Sequence, residues 1–222
     1  MNDGNAGSAI VMDRETFWNL IRVAKGFCGE NLGASADWMR EQLLFMGAQQ
    51  AKGFHDIFYA YSDHADQYGL WTAANVMCGG LSDDLFMDFR AWLIAQGKEV
   101  YSAALKDPDS LADVKPYGDC GFQALAHVGD MAYESLTGKS LFGRFDEETA
   151  HRLQAEVAAE APLGEGINYP YSCAEAADYL PRLCEKYDAG ATGTWNYDSP
   201  NIKRALKSEQ KNSRVKNRGD ER

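Results

Sequence analysis

Apolar side chains recur at three- and four-residue intervals along most of the 222-residue chain, the spacing that gives a helix one buried face. Asp13 stands where an N-cap belongs, ahead of RETFWNLIRVAK, in which Phe17, Leu20, Ile21 and Ala24 share a side and Gly26 is the expected stop. Ser35 is the next expected cap, before ADWMREQLLFM. Residues 49–67 continue with Phe54, Ile57, Phe58, Tyr61 and Ala65 on one side. LWTAANVMC follows and ends at Gly79-Gly80, where two residues without side chains favour a turn.

Ser82 caps the clearest helix, DDLFMDFRAWLIAQ, with Phe86, Phe89, Leu93 and Ile94 facing inward and Gly97 ending it. Val100, Ala103 and Ala104 predict a short turn of helix before Asp107-Pro108, and SLADV one more. FQALAHVGDMAYESL reads as helix with Phe122, Leu125, Ala126 and Met131 inward; Gly129 within it costs about 1 kcal/mol relative to Ala. Leu153 and Val157 give FGRFDEETAHRLQAEVAAEA its core contacts. Pro181 fits the first turn of a last helix, where no N–H is needed.

Sustained two-residue alternation is absent, and Ala, Leu and Glu outnumber the β-branched residues. The expected fold is therefore all-α, a compact irregular bundle of about nine or ten short helices with little or no sheet. The organisation reads as a flexible N-terminus over 1–12, a helical domain over 13–190 and a basic, partly disordered tail over 201–222.

Charge sharpens this picture. Acidic residues number 33 against 22 basic ones, a net charge of -11. Residues 201–222 carry eight basic and three acidic side chains, net +5, which leaves -16 for residues 1–200. Such a body repels phosphate backbones, so nucleic acid is expected only weakly, through the tail. A basic protein partner or self-association suits it better. The five cysteines form no CxxC pair, and no segment reaches the roughly 20 apolar residues that span a bilayer, so a cytoplasmic, non-membrane protein is expected.

Candidate chemistry concentrates between residues 70 and 94. Asp83, Asp84 and Asp88 offer carboxylate oxygens for a hard cation or a general base, with Arg90 seven residues beyond Asp83 on the same helical side. The competing reading makes Asp83 and Asp84 first-turn acids at the positive end of a helix and gives Arg90 a carboxylate elsewhere. Tyr61, Trp71 and Trp92 are candidate cleft aromatics; as core edges they would serve equally. His55 and His64 lie on opposite sides of a continuous helix, and Gly138-Lys139-Ser140 lacks the upstream glycine of a phosphate loop, since position 133 is Tyr. No metal site and no cofactor are predicted.

MDRETFWNLI, LWTAANVMCGGLSDD and FRAWLIAQGKEVYSAAL followed by DPDSLAD resemble the uncharacterised bacterial family DUF4240 over about residues 12–114, and more loosely toward YLPRLCEKYD. The family commonly places a cysteine between its double glycine and Ser-Asp-Asp; this chain has Leu81 there and Cys78 before the glycines. The resemblance implies a soluble, mainly helical protein and no particular reaction. A noncatalytic interaction or regulatory module is the leading expectation. The alternative is a small enzyme or ligand-binding protein with a carboxylate–arginine cleft around Asp83, Asp84 and Arg90.

Overall fold

The computed structural model describes residues 11–115, 120–144, 146–167 and 173–187. Most of the expected leader and the whole of the basic tail lie outside these residues. The chain forms α1 (Arg14–Cys28), α2 (Leu32–Met46), α3 (Ala48–His64), α4 (Tyr68–Cys78), α5 (Asp83–Ala95) and α6 (Lys98–Lys106). A 3-10 helix (Pro108–Asp113) then leads to α7 (Gln123–Thr137), α8 (Glu147–Glu160), α9 (Cys173–Tyr179) and α10 (Pro181–Tyr187). Among the described residues there is no strand, so the all-helical expectation holds.

Two of the expected caps form as read. The Asp13 carboxylate accepts from Thr16 N at 2.7 Å, and the Ser82 hydroxyl from Leu85 N at 3.3 Å. Two boundaries differ. α1 runs through Gly26 and stops at Gly29, whose φ of 58° an L side chain rarely adopts. α2 starts before Ser35, because the Asn31 side chain accepts from Ala34 N at 3.0 Å and so supplies the cap one turn earlier. Ser35 is buried within the helix.

α3 is the central element and packs against α1, α2, α5, α7 and α8. Its closest approach is to α7. A Cβ at Gly129 would lie 2.9 Å from both His55 N and His55 Cβ, and 3.0 Å from Ala51 O. Gly129 is thus the residue that lets two helix backbones touch, and the inward stripe of α7 is Leu125, Val128, Gly129 and Ala132. Met131, expected inward, lies outside that stripe and is 46% exposed. On an adjoining side of α3, Phe17, Trp18, Phe54, Tyr61 and Tyr101 form an aromatic cluster with ring centroids as close as 4.7 Å. Met12, counted with the leader in the sequence, is buried in this core.

The last two helices are fastened by a buried carboxylate. Asp109, 6% exposed in the 3-10 helix, accepts from Arg182 N at 3.2 Å and Leu183 N at 2.9 Å, two donors of the first turn of α10. Lys186 Nζ donates to Ala112 O at 2.9 Å and Val114 O at 2.7 Å, and Arg182 pairs with Asp113. Pro181 occupies the first position of α10 as expected.

Gly129→Ala should lower stability by about 1–3 kcal/mol through overpacking, despite its better helix propensity. Gly26→Ala, where a Cβ meets nothing within 4 Å, should be neutral or raise it by up to about 1 kcal/mol. Urea denaturation of both variants checks the pair; equal shifts would remove the close-approach account. Asp109→Ala should cost about 1–3 kcal/mol by stripping two buried N–H groups of their acceptor, read in the same titration.

Candidate functional site

The residues singled out in the sequence separate into two groups. Asp83 and Asp84 are exposed in the first turn of α5, and neither lines the two described cavities. Arg90 is 8% exposed and turns away from them. Its Nη1 donates to Ser62 O at 3.1 Å and stands 3.5 Å from Asp66 Oδ2, while its guanidinium carbon lies 5.1 Å over the Phe86 ring. The structure therefore places Arg90 with the end of α3. Asp88 is half-buried, and its carbonyl accepts from Phe122 N at 3.0 Å. Trp71 is half-buried, its ring 4.6 Å from that of Phe86, and Trp92 is fully buried against Phe89 at 5.5 Å. Among the described residues, no group of three or more His, Cys, Asp or Glu side chains is arranged to hold a metal ion. Cys120 precedes α7 with a φ of 56°, and His127 lies within that helix.

A carboxylate–arginine cleft does exist, elsewhere. About 770 Å3 in volume, it lies between the start of α1, the middle of α3 and α8. Its apolar lining includes Met12, Trp18, Ile57 and Leu153. Along it runs a ladder of alternating charge. Arg152 Nη1 meets Glu156 Oε1 at 3.0 Å, Glu156 also binds Arg14, Arg14 Nε meets Glu160 Oε2 at 2.7 Å, and Lys98 Nζ meets Glu160 Oε1 at 2.6 Å. Arg14 and Lys98 each open a helix, where cations oppose the helix dipole, and Glu160 closes α8, where an anion does, with Glu156 one turn before it. Each placement is unfavourable alone; facing one another, they offset. A cation in the first turn, Arg14 of MDRETFW, is the one local sign in the sequence of a carboxylate opposite.

Tyr61 supports this cleft from behind. It is 1% exposed and its phenol oxygen accepts from Trp18 Nε1 at 2.9 Å, while its carbonyl accepts from Tyr101 OH at 2.7 Å. Burial pushes the Tyr61 phenol well up, so it keeps its proton. Burial pushes the Glu160 carboxyl up, but the Lys98 hydrogen bond and charge, the Tyr61 phenol and Arg14 outweigh this and hold it below the usual range. His64 Nε2 donates to Ala161 O at 2.8 Å and ties the end of α3 to the end of α8. In the adjoining hollow, His55 Nδ1 stands 3.1 Å from Asp56 Oδ1, and Asp56 also binds Lys52.

A second surface feature was not read from the sequence. The outward side of α2 carries Ala34, Asp37, Trp38, Glu41 and Phe45, all within about 100° of the helical wheel. Phe27, at the end of α1, stacks on Trp38 with ring centroids 6.1 Å apart. Phe27 is 78% and Phe45 92% exposed. Asp37 and Glu41 are exposed beside them and pair with no cation among the described residues. Single exposed apolar residues are ordinary; a run of three aromatics bordered by uncompensated acids is a surface with a defined chemistry.

Among the described residues these features define an all-helical body with an internal charge ladder and an aromatic outer edge. The family model of a protein of unknown function, DUF4240, matches residues 12–135, and the chain belongs to that family. The matched residues supply α1 through most of α7, including Arg14, Trp18 and Lys98; the α8 wall of the cleft lies outside them. Comparison with curated proteins and with solved structures found no match. No helix among the described residues is long and apolar enough to cross a membrane.

The lowered Glu160 carboxyl fixes the sign of a pH effect. Its contribution is complete above the ordinary glutamate pKa of about 4.3 and is lost as the pH falls through the lower folded value. Glu160→Gln should reduce stability at pH 7 by about 1–2 kcal/mol and flatten the fall in stability below pH ~4. Denaturation midpoints from pH 3 to 7 check this; parallel curves for the two proteins would exclude Glu160 as a source of the slope.

Proposed function

We propose that this protein is a noncatalytic interaction module whose α1–α2 edge receives a protein segment in which Lys or Arg alternates with apolar residues. The observation that carries the reading is the juxtaposition of Phe27, Trp38 and Phe45 with the uncompensated carboxylates of Asp37 and Glu41. Aromatic faces attract cations as well as apolar surface, and each carboxylate adds a partner for an ammonium or guanidinium. The -16 charge on residues 1–200 draws a basic partner in and speeds encounter at low salt. Among the described residues Cys28, Cys78, Cys120 and Cys184 form no disulfide, which supports a reducing compartment such as the cytoplasm.

A second reading, a ligand-binding or enzymatic site, is favoured by the cleft between α1, α3 and α8. Its arginine and carboxylates already bind one another, so a ligand there must break a ladder contact to gain its own. The cleft serves the interaction reading as the fastening of α8.

The probe for the interaction reading is a fluorescein-labelled synthetic peptide of Lys, Arg and Leu, followed by anisotropy against the full chain. Phe45→Ser and Glu41→Lys should each weaken binding at least tenfold, with loss of affinity at raised salt. Arg14→Gln, in the cleft, should leave it unchanged. Equal affinity for all three variants would remove the edge as the binding surface, and loss only with Arg14→Gln would transfer the function to the cleft.

A further inference from the structure

We infer that the basic C-terminal segment, residues 201–222, is the resident occupant of the α1–α2 edge and covers it within the same chain. The inference rests on the reading of that edge given above and adds its regulation: a partner gains the surface by displacing the segment.

Three observations converge. The first is chemical. The segment opens with Ile202 and Leu206 interleaved with Lys203, Arg204 and Lys207, the mixture of apolar and cationic groups that Phe27, Trp38, Phe45, Asp37 and Glu41 complement. The second is the sign of charge: the segment carries +5 in a molecule whose other residues total -16. The third is where the described chain ends. Lys186 Nζ holds Val114 O at 2.7 Å, and the next residue, Lys115, reaches Glu30 Oε1 at 2.6 Å, three residues beyond Phe27. Tyr187, the last described residue, is therefore carried to the strip of chain that touches the turn between α1 and α2.

Length allows the connection. The thirteen residues 188–200 reach at most roughly 45 Å when extended. A domain of this size has a radius of gyration of about 16 Å. A tether this short gives an effective concentration near 1 mM, so a contact with an intrinsic Kd of even ~100 μM would mask the edge about tenfold.

The test compares the full chain with a full-length Lys203→Ser, Arg204→Ser, Lys207→Ser variant, using the same labelled Lys/Arg/Leu peptide. The substitutions lie outside the described residues. The triple variant should bind the peptide about tenfold more tightly at 0.05 M salt, and the difference should shrink at 0.5 M salt as the contact is screened. It should also be independent of protein concentration. Equal affinity in the two proteins would overturn the inference while leaving the edge as a docking surface. Masking that grows with protein concentration would also overturn it, assigning the cover to a second copy. If the peptide binds neither protein, the edge itself is not a docking surface and both readings fall.

Discussion

Two helices that begin with cations meet one helix that ends with an anion, and the architecture around the cleft depends on that meeting. Arg14 and Lys98 stand at positive helix ends, Glu160 at a negative one with Glu156 one turn before it. Separately, each would weaken its own helix. Together, they bring the poles of α1, α6 and α8 into favourable opposition and hold α8 across the bundle. Tyr61 backs the arrangement: burial keeps the proton on its phenol, and the indole of Trp18 donates to the phenol oxygen at 2.9 Å.

This division of labour separates the molecule's two polar surfaces. In the cleft, charges are matched and partly shielded, and their business is to join elements. On the α1–α2 edge, Asp37 and Glu41 have no such counterpart among the described residues, and those residues leave Phe27 and Phe45 uncovered beside a half-buried Trp38. Exposed aromatics beside unmatched acids are costly to solubility unless something basic and apolar spends time there.

Much of the fold was legible in the sequence because local signals and tertiary packing agree. Asp13 and Ser82 cap as their chemistry dictates, and Phe86, Phe89, Leu93 and Ile94 fall on the buried side of α5. Misreadings occur where a neighbour distant in sequence decides. Nothing local distinguishes Gly129 from a helix-weakening glycine until His55 is seen against it. Met131 fits an apolar stripe by type, but the α7 stripe is drawn by small residues that admit α3. Among the candidate site residues, Arg90 stands 3.5 Å from Asp66, a neighbour that helical spacing does not announce, while Tyr61 backs the cleft through Trp18 of another helix. Asn31 outranks Ser35 as a cap simply because it comes first, a choice of register that propensity does not resolve.

The carboxylate of Asp109 substitutes for a cap that α10 does not bring with it, across more than seventy residues of chain. A seven-residue helix is marginal on its own. If α10 were to lift away, Asp109 would exchange both backbone donors for water while Lys186 and Arg182 released the same stretch of chain, so detachment of α10 and loosening of the 3-10 helix form one cooperative event rather than two. Any pull on the chain beyond Tyr187 is thereby resisted at the centre of the molecule instead of fraying from its end.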